Sequence, residues 1–394
     1  MTTKKALLVG SSFSATPIFY ALKDHGLHVS VCGNNPSDAC HQYADASYFI
    51  DYSDPEHLLS VVESGDFDFL VPTCNDYSYM SCAKVAEKFS FPGFDSLPTA
   101  TELHTKNLFR QLTQRLGIPA PRFTEINVGM QISDLSLDFP LLMKPVDSFS
   151  GRGMSKIFSE TDLALAISDA QRYSRVGKVV VEEFLDASLH SHSAFLQKGT
   201  VQQDFFVDEF CTVYPYQVNC SNHPSLLTTN IKDSVREAIN QISKSLGLVN
   251  GLIHTQFMVR ENEFWIIETM RRCPGDLYGV LVTYSTGVDY ADLFVRSFLD
   301  LPIPESPFKP NEVLYGRHTV SGTKSQTLMS IASNIPSVSS QFVSLKNSGE
   351  HLKEAPFDKA GILFVEFESQ QQMEEVTPLM AGYVNINSYN ININ

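Results

Sequence analysis

The 394-residue sequence lacks several features that mark large classes of protein. No apolar run approaches the roughly 20 residues that a membrane-spanning helix needs. The first apolar run, residues 6–9, ends at Gly10 and is too short for a signal-peptide core, so it predicts a buried strand. The seven cysteines are odd in number and include no CxxC pair. They argue against a disulfide framework and a zinc site and predict a cytoplasmic protein.

Basic residues are also scarce. Lysine and arginine number 29 against 44 aspartates and glutamates, which gives a formal net charge of −15. A field of that sign repels nucleic acid and anionic membrane surfaces. We therefore expect neither as a partner. Any anion that this protein handles must be held by a local group of cations or backbone amides, which indicates a small-molecule site.

Motifs of two common enzyme classes are absent. The first hundred residues alternate strand and helix patterns, which predicts a parallel, doubly wound sheet. The first strand leads into a loop of small residues at 10–17, but this loop has no GxGxxG pattern and no acid closes the second strand. A nicotinamide site is therefore the weaker interpretation. No nucleophile elbow or Ser-His-Asp signature points to acyl-enzyme chemistry.

The most informative segment is residues 251–275, which predicts two strands joined by a polar turn. Gln256 and Glu268 lie twelve residues apart on the two strands, and Arg272 follows Glu268 by four residues. An oxygen pair beside an arginine suits Mg²⁺ and a transferring phosphoryl group, because Mg²⁺ takes few protein oxygens and several phosphate oxygens. The alternative is an amphipathic hairpin with a solvated polar face.

Other segments of the middle region add groups that suit a nucleotide. Lys106 lies near the start of a helix predicted over residues 103–116, and Lys144 lies on a short apolar strand. Both can supply point charges to phosphates. The loop 148–153 can wrap phosphate oxygens, because glycine lets the backbone approach closely. The strand end at 182–185 offers backbone groups to an adenine edge and a carboxylate to a ribose.

This order and spacing resemble the ATP-grasp superfamily, in particular the branch with biotin carboxylase and the carboxylate–amine ligases. The resemblance covers roughly residues 103–301 and is carried by these motifs together. It implies an α/β fold with a Rossmann-like pre-grasp domain at 1–102 and a two-subdomain ATP-grasp domain at 103–301. The lid subdomain would span about 121–185. A smaller C-terminal α+β domain would occupy 302–394 and end in a frayed tail.

The resemblance also implies a reaction. ATP would phosphorylate a small carboxylate, and an amine would open the acylphosphate to give an amide, ADP and phosphate. The implied cofactors are ATP and Mg²⁺, with Mn²⁺ as a possible substitute, and a homodimer is compatible with the family. The implied catalytic residues are Glu268, Arg272 and Arg317, and the implied metal ligands are Gln256 and Glu268. The implied nucleotide-binding residues are Lys106, Lys144, Ser150, Gly151, Gly153, Glu182, Glu183, Phe184, Leu185 and His190.

Two departures from the family pattern leave alternatives open. The family usually has a carboxylate where Gln256 stands and an asparagine where Met270 stands, so the metal site would rest mainly on Glu268. His190 and His192 alternate along a strand and share a face, where a surface pair is an alternative to a phosphate contact. Besides the ligase that we predict, a bicarbonate-phosphorylating enzyme and a nucleotide-binding sensor without turnover remain open. The chain has no biotin-attachment sequence of the Ala-Met-Lys-Met type.

Overall fold

The computed structural model describes residues 3–126, 137–148, 151–305 and 313–389. Its N-terminal part is a parallel sheet of four strands in the order β3-β2-β1-β4. Successive residues of β1 enter different cores, Leu8 on one face and Leu7 on the other, because side chains alternate along a strand. The elements are β1 (Lys5–Val9), α1 (Thr16–Asp24), β2 (His28–Cys32), β3 (Ala46–Tyr48), α2 (Pro55–Gly65), β4 (Phe69–Pro72), α3 (Asp76–Phe89) and α4 (Leu97–His104).

The helix predicted over 103–116 is two helices. Thr105 has an extended backbone, with φ −103° and ψ 117°, so α4 ends at His104 and α5 begins at Lys106. The side chain of Thr105 makes no capping hydrogen bond to α5. The break turns Lys106 into the first residue of a new helix instead of a residue on the face of a continuing one.

A small antiparallel sheet follows, with strand order β5-β8-β6-β7. Helix α6 covers one face of it through Leu163, Ala166 and Ala170. The elements are α5 (Lys106–Leu116), β5 (Phe123–Glu125), β6 (Leu141–Pro145), β7 (Ser155–Ile157), α6 (Glu160–Arg172) and β8 (Val179–Glu183).

The largest sheet has eight strands in the order β13-β12-β9-β10-β11-β14-β18-β16. Helix α7 packs on one face, and the other face packs on α8, α9 and the N-terminal part. The first elements of this region are β9 (Ser188–Gln197), β10 (Thr200–Phe210), β11 (Cys220–His223), α7 (Thr229–Leu246), β12 (Gly251–Arg260), β13 (Glu263–Met270), α8 (Tyr278–Thr286) and α9 (Tyr290–Phe298).

The strands after residue 302 are divided between two sheets. Three of its strands continue the eight-stranded sheet, and three others form a sheet in the order β17-β15-β19. The proposed domain boundaries at 102 and 301 therefore stay predictions. The elements are β14 (Tyr315–Val320), β15 (Gln326–Ser333), β16 (Ser339–Ser344), β17 (His351–Leu352), β18 (Gly361–Glu366), α10 (Gln370–Val376), α11 (Met380–Tyr383) and β19 (Val384–Ser388).

Candidate active site

The hairpin of β12 and β13 brings together the two predicted metal ligands. Gln256 and Glu268 are direct partners in the antiparallel ladder, and both are half-buried. Directly opposite residues of an antiparallel pair lie on the same face with their Cβ atoms about 5 Å apart. The two side chains therefore extend from one face of the sheet, with Oε atoms as their only possible cation ligands.

The same face carries a line of polar residues that crosses six neighbouring strands. On β12, Gln256 is also opposite Ser191 of β9, and on β11 Ser221 is opposite both Glu209 and Arg317. Val207 is opposite Ser191, and Glu209 lies two residues further along β10, so it shares that face. We refer to this set as the polar row. Its members are Glu268, Gln256, Ser191, Glu209, Ser221 and Arg317.

Glu209 is the member of the polar row that sequence reasoning missed. It is 5% exposed and accepts a hydrogen bond from Nε2 of Gln256 at 2.6 Å. Burial raises the pKa of Glu209, and the neighbouring Ser191, Arg317 and Gln256 offset part of that shift. A signal existed, because Asp208 and Glu209 are consecutive acids at the end of an apolar strand, but nothing local paired them with residue 256.

At the other end of the row, Arg317 is 3% exposed. Its Nη2 donates to Oγ of Ser221 and its Nη1 to the carbonyl oxygen of Asp276, both at 2.8 Å. Its Nε is buried and finds no hydrogen-bond partner within the part of the chain that the structure describes. In the same part of the chain no carboxylate forms an ion pair with this guanidinium, whereas Asp276 pairs with Lys359.

Arg272 reaches from the end of β13 to the N-terminal part. Its Nε and Nη2 donate to the carboxylate of Asp76 at 3.3 and 3.2 Å, and its Nη1 donates to the carbonyl oxygen of Cys273 at 3.2 Å. Burial alone would raise the pKa of Asp76, but the charge of Arg272 and the hydrogen bond from His104 outweigh it and hold that pKa well below its usual range. Asp76 is thus an anion that keeps Arg272 in place.

His104 links this pair to the backbone of the hairpin. The amide of Arg271 donates to its Nε2 at 3.1 Å, and its Nδ1 lies 3.0 Å from Asp76. A backbone N–H can only donate, so Nε2 is unprotonated and Nδ1 carries the proton that Asp76 accepts. The ring also stacks on Tyr79 at a centroid distance of 5.0 Å.

The two predicted phosphate-binding lysines lie on separate elements. Nζ of Lys106 donates to the carbonyl oxygen of Ser148 at 2.5 Å, and Nζ of Lys144 lies 2.5 Å from the carboxylate of Glu182. Burial lowers the pKa of Lys106, while the charge of Glu268 opposes that shift. The charge of Lys106 at the start of α5 therefore interacts with that of Glu268, one of the two predicted metal ligands of the hairpin.

Glu182 is 1% exposed and serves as the counter-ion of two cations. Besides Lys144 it pairs with Arg110 of α5, whose Nη2 lies 2.8 Å from Oε1. Burial alone would raise the pKa of Glu182, but Arg110 and Lys144 hold it below its usual value. Arg110 was not predicted as a site residue, although it lies one helical turn after Lys106 and so shares its face.

The glycines of the predicted phosphate loop occupy positions that other residues fill poorly. Gly151 and Gly153 have φ of +70° and +71°. A Cβ on Gly151 would lie 2.7 Å from the carbonyl oxygen of Tyr216, and one on Gly153 would lie 2.8 Å from the ring of Tyr173. Left-handed backbone and close approach both require glycine here. The predicted Ser150 lies outside the described residues.

The strand end predicted to bind adenine follows β8. Glu183 is held by Arg122, whose Nε lies 2.8 Å from Oε2. Nζ of Lys156 stands 3.4 Å from the centre of the Phe184 ring, and the amide of Phe184 donates to the carbonyl oxygen of Pro140 at 3.1 Å. Leu185 is half-buried at the same end. Their role toward a nucleotide stays a prediction.

His190 lies on the opposite face of the large sheet from the polar row. It is the partner of Phe257, the residue after Gln256, and side chains alternate along a strand. Its Nδ1 lies 2.8 Å from Asp208, and it is 7% exposed. His192 is fully buried, so the two histidines are not a surface pair. The structure does not bring His190 onto the face of Glu268.

The fold is similar to that of known proteins. Residues 112–296 match the family model described as D-ala D-ala ligase C-terminus. A formate-dependent phosphoribosylglycinamide formyltransferase of Prochlorococcus marinus is 29% identical over 318 residues, covering 78% of this chain and 80% of that protein. The crystal structure of an L-amino acid ligase from Bacillus licheniformis aligns with a TM-score of 0.79 at 19% identity, covering 99% of this chain and all of that one. A phosphoribosylglycinamide synthetase from Anaerococcus prevotii aligns with a TM-score of 0.77 at 18% identity, covering 98% of this chain and 100% of that one.

The resemblance to the ATP-grasp superfamily that the sequence motifs predicted is confirmed by these similarities. The predicted α/β fold is confirmed, because solved structures of this fold align with nearly the whole chain. The proteins that it resembles are enzymes of the ATP-grasp kind, which use ATP with Mg²⁺. None of the helices within the described residues has the length and apolar character needed to cross a membrane.

Within this ATP-grasp fold, a metal ion has oxygen donors of the expected type. Glu268 and Gln256 fit Mg²⁺ by donor chemistry, because both offer oxygen. Over residues 3–126, 137–148, 151–305 and 313–389 there is no group of three or more His, Cys, Asp or Glu side chains able to hold a metal. A metal at this pair would therefore need further oxygens from water or from phosphates.

Proposed function

We propose that this chain is an ATP-dependent ligase that activates a small carboxylate as an acylphosphate and couples it to an amine. The carboxylate is an amino acid or a related acid, and ADP and phosphate are released. The observation that carries the proposal is the polar row. It places two oxygen donors and a buried guanidinium without a carboxylate partner on one face of one sheet.

The nucleotide would be held between the small antiparallel sheet and the hairpin. Lys106 and Lys144 supply positive charge from the two sides, and the loop that contains Gly151 and Gly153 would offer backbone amides to phosphate oxygens. Glu268 and Gln256 would hold Mg²⁺ or Mn²⁺. When bound, the ion neutralises phosphate charge and polarises the transferring group.

The carboxylate substrate would be bound by arginine. Taking a charge out of water is costly unless a partner compensates it. Arg317 interacts with the charges of Glu209 and Asp276 from a distance, but its direct hydrogen-bond partners are only a hydroxyl and a carbonyl oxygen. A substrate carboxylate would supply a direct ion pair through a bidentate contact. Arg272 holds Asp76 by hydrogen bonds of 3.2–3.3 Å, which are long for a charged pair, so its guanidinium can exchange partners as negative charge develops.

Two related names bear on the substrate. A formate-dependent formyltransferase and an L-amino acid ligase are both named for a small acid that they use. We propose an amino acid because the L-amino acid ligase aligns over 99% of this chain, and formate, for which the formyltransferase is named, is the acid that the test below compares with it. A dimeric assembly stays a prediction.

The test is the release of phosphate from Mg-ATP with pools of small carboxylates and amines, including amino acids, formate and bicarbonate. We expect release that requires both an acid and an amine. Hydroxylamine in place of the amine should trap the acylphosphate as a hydroxamate. The Glu268→Gln variant should lose at least about 100-fold in kcat while keeping its circular dichroism spectrum.

Glu263→Gln is the matched control, since Glu263 is an exposed residue of the same strand. It should retain full turnover. Release with bicarbonate alone would replace the proposal by the carboxylase-like activity. No release in any pool, with ATP binding retained, would instead support a nucleotide-binding sensor.

A further inference from the structure

Position 256 carries glutamine where the family pattern has a carboxylate, and a carboxylate lies two strands away. A glutamine can coordinate a cation through its amide oxygen but brings no negative charge. Glu209 of β10 lies on the same face and accepts a hydrogen bond from Nε2 of Gln256 at 2.6 Å. Strand β9 lies between the two strands, so their backbones are about 10 Å apart and both side chains must lean across Ser191.

This hydrogen bond decides which way the amide faces. An ionised carboxylate only accepts hydrogen bonds, and of the two amide atoms only the nitrogen donates. Glu209 therefore holds the nitrogen of Gln256 on the β10 side. The oxygen is left for the other side, where Glu268 is the ladder partner of Gln256. A glutamine without such a partner could present either atom.

The contact also places the negative charge of Glu209 near the two predicted metal ligands, Gln256 and Glu268. The carboxylate of Glu209 is 5% exposed, so water screens its field only weakly. A carboxylate at position 256 would sit on the cation directly, whereas Glu209 acts through one amide group. The site would then hold two negative charges, one on Glu268 and one on Glu209, with Arg317 on the far side of Glu209 offsetting part of the second.

We propose that Glu209 is a positioning residue for the metal site, which fixes the amide of Gln256 with its oxygen toward Glu268 and supplies the negative charge that residue 256 lacks. The proposal rests on the ATP-dependent function and extends it. It assigns to a β10 residue part of the role that the family pattern gives to position 256.

Affinity for Mn²⁺ tests the proposal without any turnover. Electron paramagnetic resonance measures free Mn²⁺ during titration of the whole protein, with Mn²⁺ alone and with a non-hydrolysable ATP analogue. Glu209→Gln keeps the shape but removes the charge and the obligate acceptor, so Mn²⁺ affinity should fall by about 10- to 100-fold. The exchanged pair, Glu209→Gln with Gln256→Glu, should recover affinity to within about threefold, because it restores one carboxylate and one amide in reverse order.

Two controls locate the signal. Glu268→Gln should abolish this Mn²⁺ binding. Glu366→Gln removes a carboxylate of the same sheet that is bonded to Tyr315 and Ser339, and it should change the affinity less than twofold. Circular dichroism reports folding, and if Glu209→Gln does not fold, the exchanged pair is compared with the wild type on its own.

Unchanged Mn²⁺ affinity in a folded Glu209→Gln variant would overturn the proposal. So would a loss that the exchanged pair does not recover, or a wild type that binds no Mn²⁺. The outcome is separable from the proposed reaction: Mn²⁺ binding that follows the expected pattern without phosphate release would leave the role of Glu209 standing and remove the ligase activity.

Discussion

Arg271 and Arg272 are neighbours in the chain but belong to two different regions. Arg271 lies in an anchor between the N-terminal part and the hairpin. Its Nε donates to Asp95 at 2.7 Å, and its Nη atoms donate to backbone carbonyl oxygens of residues 249–252, the two shortest at 2.7 and 2.8 Å. All of its guanidinium nitrogens are occupied by partners of the protein itself.

Arg272 lies at the end of β13 and is bonded more loosely. Its three hydrogen bonds to Asp76 and to the carbonyl oxygen of Cys273 are all 3.2–3.3 Å long. Arginine has five N–H donors, and a structural arginine uses them on short, fixed bonds. From this difference we predict that Arg271 stabilises the fold and that Arg272 contacts a substrate.

The largest expected effect is the loss of the anchor. Arg271→Met leaves Asp95 as a buried charge without its cation, so the free energy of unfolding should fall by about 3–5 kcal/mol, measured by urea denaturation. Arg260→Met is the control, because Arg260 is exposed at the hairpin turn, where its guanidinium lies over the ring of Trp265. A loss below about 1 kcal/mol for Arg271→Met would contradict the anchor role.

Substitution of the second arginine should act on turnover instead. Arg272→Lys keeps the charge but loses the planar fork, and we expect kcat/KM for phosphate release to fall about 100- to 1,000-fold. Stability in urea should change by less than about 1 kcal/mol. Equal stability losses for the two arginine variants would remove the distinction between the regions.

Asp204, on the other face of the large sheet, forms ion pairs with His192 and Arg236, and we expect these pairs to lose their stabilising effect in acid. Burial would raise the pKa of Asp204, but hydrogen bonds and charge from His192 and Arg236 lower it to about 2. Because the folded pKa lies below the unfolded one, its stabilisation is full above about pH 4 and is lost as the pH falls toward 2.

This contribution amounts to about 2 kcal/mol at neutral pH. Asp204→Asn should therefore lower stability in urea at pH 7 by that amount, and the gap to the wild type should close between pH 4 and pH 2. Asp233, an exposed partner of the same Arg236, provides the control variant Asp233→Asn with a much smaller effect. A gap independent of pH would contradict the assignment.

The smallest effect is expected at the rim of the anchor. Tyr79→Phe removes the hydroxyl that donates to Asp95 at 3.2 Å but keeps the ring that stacks on His104. Stability should fall by about 1 kcal/mol, with phosphate release unchanged. A larger change in turnover than in stability would show that His104 and Asp76 transmit the substitution to Arg272.

Short-range sequence patterns were enough to predict the hairpin pair and the glycine loop of the candidate site. The spacing of Gln256 and Glu268 across a short turn is enough to predict their pairing, and the structure places them opposite one another. The glycines at 151 and 153 were identified as loop positions, and both have positive φ. These inferences need only the periodicity of a strand or the steric freedom of glycine.

Long-range partners could not be predicted in the same way. Glu209 meets Gln256 from 47 residues away and across an intervening strand, so no local period relates them. The break at Thr105 was missed because residues 103–116 have the apolar spacing of one helix. His190 was expected beside the phosphates, but the ladder register sets it opposite Phe257 and on the other face.

The ladder between β11 and β14 limits how this chain can be recombined with others. Residues 220–223 pair with 315–318, and Ser221 in that ladder holds Arg317. A shortened chain that ended near residue 301 would leave β11 as an open edge, a template for pairing between molecules. A chimera that takes its C-terminal segment from another enzyme would need the same strand register before it could inherit a new specificity, since a slip of one residue would turn Arg317 to the opposite side.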